Sequence, residues 1–125
     1  MNILERVYDY LNDAGLLTGW TAQLQFWNDS ENGDEQFIVI QSNGGTQVRQ
    51  DLGNDFYFSV YVVGKHGQYN VSDVDAKANE IIEYIKQNPL DGCLGYIQLQ
   101  APLGRPMLTD EKRPVHELLL RVVRG

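Results

Sequence analysis

One cysteine and two histidines in 125 residues close off several classes of function at once. Cys93 has no partner for an internal disulfide, and a zinc site needs several Cys or His ligands. Because Cys93 lies on an alternating apolar pattern, it is expected to be a buried core thiol in a reducing compartment. Cations are scarce too: ten Lys and Arg against seventeen Asp and Glu leave a net charge of −7. That balance argues against nucleic-acid binding by the whole surface, since neutralising phosphates needs clustered Lys and Arg. No apolar run is long enough to span a bilayer, and MNILERVYDY lacks a basic stretch followed by an apolar one. The expectation is an intracellular protein with no membrane partner.

What is present suits a folded domain. A hydrophobic content of 42% without low-complexity stretches argues against disorder. At this length about two-thirds of the unfolded surface can be buried, enough for a core without staples. Residues 1–125 are therefore expected to form a single domain.

Ile3, Leu4, Val7 and Leu11 recur at helical spacing behind Asn2, a good N-cap, and predict a helix over 2–14 that stops at Gly15. Residues 22–27 (AQLQFW) alternate with period two, and 35–41 (EQFIVIQ) read as a second strand. With the acidic turn 28–35 between them, the two predict a hairpin. Asn43-Gly44-Gly45 breaks the chain, and 46–54 is polar and unassigned. Residues 55–64 (DFYFSVYVVG) are β-branched and aromatic on both faces, the pattern of a central strand. Ser72 with Asp75 resembles a capping box for a second helix, whose stripe is Val74, Ala78, Ile81, Ile82 and Ile85 and whose end is Asn88-Pro89. Residues 93–100 alternate again, a long loop follows, and 115–123 form the last strand. The order α-β-β-β-α-β-β predicts an α+β fold, a mostly antiparallel sheet with both helices on one face.

In that packing Leu24, Phe26, Phe58, Val60, Ile97, Leu99 and one side of the last strand meet the helices. Alternation then puts Gln23, Gln25, Tyr57, Ser59, Tyr61, Tyr96, Gln98 and Gln100 on the opposite face. A face rich in Gln and Tyr is either a solvated sheet surface or a contact surface, with Tyr57, Tyr61, Tyr96, Gln98 and Gln100 as its candidates.

Charge is distributed unevenly. Residues 101–125 hold five cations (Arg105, Lys112, Arg113, Arg121, Arg124) against Asp110, Glu111 and Glu117, a net +2, so residues 1–100 carry −9 of the total −7. Loop 102–114, about a dozen residues, has the length at which a loop in a compact domain is usually functional or disordered. Its Arg105-Pro106 and Arg113-Pro114 pairs favour extended backbone at both ends.

No motif carries catalysis. The turn 28–35 places Asn28, Ser30, Asn32 and Gly33 as in a calcium loop, but the twelfth position is Val39 where a bidentate Glu is required. Asn43-Gly44-Gly45 lacks phosphate-loop spacing. His66 and His116 sit near no recognisable nucleophile motif, and an arrangement with Cys93 or an Asp is left to the fold to decide. No cofactor or metal is expected, and no enzymatic activity.

The order of elements resembles that of the tail-terminator (tail-completion) proteins of long-tailed bacteriophages and prophages. The similarity rests on a short first helix, the aromatic strand FYFSVYVVG and the helix VSDVDAKANEIIEYIKQN. After these come a strand, the long loop and a closing strand with a charged start, DEKRPVHELLLRVV. The resemblance covers nearly the whole chain and is one of pattern rather than of a sharp motif. It implies a structural, non-enzymatic protein forming a ring, usually a hexamer, that caps the tail tube and offers a surface to the head. Its partners would be copies of itself, tail-tube proteins and head-completion proteins, in the host cytoplasm during assembly and then in the virion tail. It implies no sequence-specific nucleic-acid contact. A cyclic ring needs two unlike patches, and Asp29, Glu31, Asp34 and Glu35 have the sign opposite to Arg105, Lys112 and Arg113. The alternative function is a small ligand-binding or regulatory α+β module without catalysis, which predicts a pocket with convergent polar groups.

Overall fold

The computed structural model describes residues 3–30, 32–45, 54–92 and 94–124. Helix α1 (Ile3–Asp13) is followed by strands β1 (Thr21–Leu24), β2 (Phe37–Gly45) and β3 (Asn54–Val63). A 3-10 turn (Gln68–Asn70) leads into α2 (Val71–Gln87), then β4 (Leu90–Asp91), β5 (Gly95–Leu99), β6 (Met107–Leu108) and β7 (Pro114–Arg124). The strands form one mixed sheet in the order β1-β2-β3-β7-β5-β4, with β6 also on β7. This is the α+β architecture expected, with β4 and β6 as short additions.

The helices cover one face. The stripe Val74, Ala78, Ile81, Ile82 and Ile85 of α2 joins Leu4, Val7, Tyr10 and Leu11 of α1. Both pack on Ile38 and Ile40 of β2, Phe58, Val60 and Val62 of β3, Ile97 of β5, and Leu118, Leu120 and Val122 of β7. α1 ends as the sequence implies. Gly15 has φ +77°, and the Leu16 N–H donates to Leu11 O at 3.2 Å, the long bond of a Schellman cap. Strand β3 is central, flanked on both sides by antiparallel partners. Its other face supports a second cluster, Phe37, Val39, Val63 and Val115, with Trp27 and Tyr61 packed on it.

Three sequence expectations are corrected. β1 pairs with β2 in parallel, Thr21 opposite Phe37 and Leu24 opposite Ile40, so the two do not form a hairpin. The strand stops early because Gln25 takes φ +68° and the Phe26 N–H folds back onto Leu24 O at 2.8 Å. The chain then returns to the starting end of β1, where the Thr21 N–H donates to Gln36 O at 2.8 Å. Phe26 accordingly leaves the core and is 78% exposed. The capping box is not formed either: the N-cap is Asn70, two residues before Ser72, Ser72 is exposed in the first turn, and Asp75 bonds to His116. The calls on Asn2, residues 46–53, Glu31 and Cys93 fall outside the described residues.

Candidate functional site

Three loops meet at one end of the sheet, and Arg113 is what they meet on. Its side chain is fully buried. Nη1 donates to Glu35 O at 2.5 Å and to Gly64 O at 2.9 Å, while Nη2 donates to Asn32 O at 2.9 Å. Nε lies 3.2 Å from the Asp29 carboxylate, and the guanidinium sits 5.2 Å from the centre of the Phe37 ring. A planar fork of five N–H donors suits this arrangement, which a Lys ammonium could not reproduce. Main-chain bonds tie the same loops together: His66 N to Gly33 O, Gly67 N to Lys112 O, and Gly64 N to Pro114 O, all at 2.8–2.9 Å. The burial of the charge is thus compensated by one carboxylate, three carbonyl dipoles and a ring face.

The basic and acidic segments that the sequence suggested would meet between copies are therefore joined within one chain. Arg113 and Asp29 are committed to each other. Arg105 and Lys112 stay exposed, as does Asp34, while Glu35 is half-buried. The Ser30 and Thr21 hydroxyls hold the Glu35 carboxyl below the usual carboxylate range, with the Arg113 charge adding to them. The Thr21 bond is 2.8 Å long.

Beside this knot opens an apolar cleft of about 340 Å³. Its floor is Val39 and Gln41 of β2, Tyr61 and Val63 of β3, and Val115 of β7. Trp27 forms one wall, and Met107, Leu108 and Thr109 form the other. The register explains the row: Phe37 lies opposite Val63, Val63 opposite Val115, and Val115 opposite Met107. The second half of loop 102–114 is thus a small hairpin whose turn carries Lys112 at φ +66°. Met107 and Leu108 are 52% and 48% exposed, so this wall presents apolar surface to solvent.

The Tyr/Gln face is assembled as alternation implied. Tyr96 lies opposite Val123, Gln98 opposite Arg121, and Arg121 opposite Tyr57, all on the face away from the helices. Tyr96 and Gln100 are exposed; Tyr57, Tyr61 and Gln98 are half-buried. Charged groups here are engaged: Ser59 and Tyr61 donate to the Glu117 carboxylate at 2.9 and 3.1 Å, and Arg121 Nη2 forms an ion pair with Asp55 at 2.6 Å. Burial first, then the Glu117 contact, pushes the Tyr61 phenol above its ordinary range.

The histidines do not form a catalytic set with the cleft. His116 is buried on the helical side, where its Nε2 meets the half-exposed Asp75 carboxylate, and Nδ1 is buried without a partner. His66 packs against Gly33. Among the described residues no group of three or more His, Cys, Asp or Glu could hold a metal ion, and no helix is long and apolar enough to cross a membrane.

Sequence reasoning missed the roles of Arg113, Trp27, Met107 and Leu108. The strand parity of β7 held one usable signal: Arg113 shares a face with Val115, which would have turned it towards the second cluster rather than to solvent.

Comparison with known proteins gives three findings. A solved structure is similar over 98% of this chain and 94% of its own, with a TM-score of 0.57 and 14% identity, which establishes a shared fold. No curated protein matches. A family model described as phage tail termination protein matches residues 1–125, the whole chain.

Proposed function

The chain belongs to the phage tail termination protein family, and from that membership we propose that it is a structural, non-catalytic ring subunit that caps the tail tube and presents a joining surface to the head. Its partners are copies of itself, most simply six, together with tail-tube and head-completion proteins. It assembles in the host cytoplasm and ends in the virion tail. The observation that supports this reading best is the apolar cleft beside the Arg113 knot, whose Met107–Leu108 wall stands in solvent. Exposed apolar surface of that kind, rimmed by polar residues, is characteristic of protein contact sites. Around it Arg105 and Lys112 can meet the acidic loop of a neighbouring copy, at Asp34, Glu35 and Glu31. Such a contact joins two unlike patches, as a closed ring requires. The Tyr57, Tyr61, Tyr96, Gln98 and Gln100 face is the second candidate surface, suited to the tube or head partner by its uncharged polar tips.

The ligand-module reading fits the cleft less well. Gln41 is its main polar side chain; the Thr109 hydroxyl already accepts the Arg113 N–H, and the Tyr61 hydroxyl is given to Glu117. A small-molecule site usually has several convergent polar groups.

Native mass spectrometry and negative-stain microscopy, on the protein alone and with tail-tube subunits, test the proposal. Rings are expected in at least one condition, and monomers in both would overturn it. The charge contact is tested by Arg105→Glu with Lys112→Glu. Both side chains are exposed, so the fold should persist while assembly weakens. Arg113 is unsuitable for that test, because reversing a buried charge would unfold the loops instead.

A further inference from the structure

We infer that Asn32–Gly33 is a self-modifying site, at which the Asn32 side chain is converted to aspartate or isoaspartate with loss of ammonia. The Asn32 Oδ1 atom accepts the Asp34 N–H at 2.9 Å. The ring closed by that bond contains the Gly33 nitrogen, so nucleophile and amide carbon are held within one turn. The same bond draws electrons from the side-chain carbonyl and stabilises the oxyanion formed when the nitrogen attacks. The main-chain carbonyl of Asn32 receives Arg113 Nη2 at 2.9 Å and the Glu35 N–H at 3.1 Å. That carbonyl belongs to the amide whose nitrogen is Gly33 N, and a cation on its oxygen makes the N–H more acidic. Among the described residues the Gly33 N–H donates to no acceptor, while Gly33 O is engaged by His66 N. A Cβ on Gly33 would meet the His66 ring at 3.0 Å, so a larger residue would crowd that ring, and glycine is the residue that least hinders attack.

The step balances with water as the co-reactant. Gly33 N loses its proton and forms a bond to Asn32 Cγ. The Cγ–Nδ2 bond breaks, the nitrogen takes up the proton, and ammonia leaves a five-membered succinimide. Water then opens the imide at either carbonyl, giving aspartate or isoaspartate. Isoaspartate routes the main chain through the former side chain and turns the carbonyl that Arg113 holds into a free carboxylate. The added main-chain carbon and negative charge would reshape the loop around the buried guanidinium.

The chain contains its own control, because Asn43–Gly44 is a second Asn-Gly pair, placed within β2. Purified protein is incubated at neutral pH, folded or in concentrated urea, and both sites are followed by peptide mapping with isoaspartate detection. In the folded protein Asn32 should convert at least about tenfold faster than Asn43, which corresponds to about 1.4 kcal/mol in barrier. In urea the two rates should converge. An Asn32→Ser variant, which keeps a short polar side chain as acceptor for the Asp34 N–H, should lose the faster product and retain the Asn43 one. Equal rates in the folded protein, or a faster Asn43, would overturn the inference. So would an Asn32 rate that rises on unfolding. The readout is independent of whether rings form.

Discussion

Replacing Arg113 with Met tests the knot most directly, because it keeps an unbranched apolar stem and removes the guanidinium with its charge and donors. The wild-type guanidinium donates to the carbonyls of Asn32, Glu35 and Gly64 and faces the Asp29 carboxylate at 3.2 Å. Hydrogen bonds from a charged donor contribute about 1.5–3 kcal/mol each, though not additively. The substitution leaves the acceptors in place and unpaired, and removing one partner from a buried ionic network costs about 3–5 kcal/mol. Against a total stability of about 5–15 kcal/mol, that is a large fraction. The melting temperature should fall by roughly 10–20 °C, and the urea midpoint should fall with it, measured by circular dichroism. Asp29→Asn is the control. Its side chain is 28% exposed, so water can replace much of what is lost, and about 1 kcal/mol is expected. Arg113→Lys should resemble Arg113→Met, because an ammonium cannot span three carbonyls. An Arg113→Met protein within about 1 kcal/mol of wild type would refute the account of Arg113 as the pin of the three loops.

Other outcomes follow from the same structure. Phe26→Asp should change stability by less than about 0.5 kcal/mol, since the ring is 78% exposed, whereas Phe58→Ala should cost about 3–5 kcal/mol in chemical denaturation. Glu35 has a folded pKa below its unfolded one, so its contribution is present above the ordinary carboxylate pKa and is lost as pH falls through the folded value. Glu35→Gln should therefore flatten the acid limb of a stability-against-pH curve, and an unchanged limb would count against the Ser30 and Thr21 contacts. Tyr61 is shifted the other way: its contribution is complete below the ordinary phenol pKa and is lost as pH rises through the folded value. Ultraviolet titration should show Tyr61 ionising above the ordinary phenol range, and Glu117→Gln should bring it part of the way back.

The parts of the fold legible in the sequence were those in which periodicity alone decides. The α2 stripe, the two-sided strand β3 and the Tyr/Gln face all follow from counting alternate or every third and fourth residue. Strand direction has no such signature. Residues 22–27 and 35–41 with a turn between them look the same whether the second strand returns beside the first or crosses back to its start. What decides is the single left-handed residue Gln25. Arg113 was obscured for a related reason. Locally it is one more cation in a polar stretch ending in proline, and its burial is set by carbonyls 49 to 81 positions away. The complementary charges of the two loops were visible in the sequence, but not whether they would be satisfied within one chain.

The place of β7 in the sheet has a consequence for synthesis. It lies between β3 and β5, and the residue just before it pins the loop that follows β1. While the ribosome is still short of residue 113, β3 lacks one neighbour and the parallel β1–β2 pair lacks its clasp. The emerging chain must hold an open apolar edge from the end of β3 until β7 is made and can close only late, in a step that joins distant segments. Such folding is slow and exposed to aggregation. Its yield should therefore respond more to translation speed and to chaperone supply than the modest size of the protein suggests.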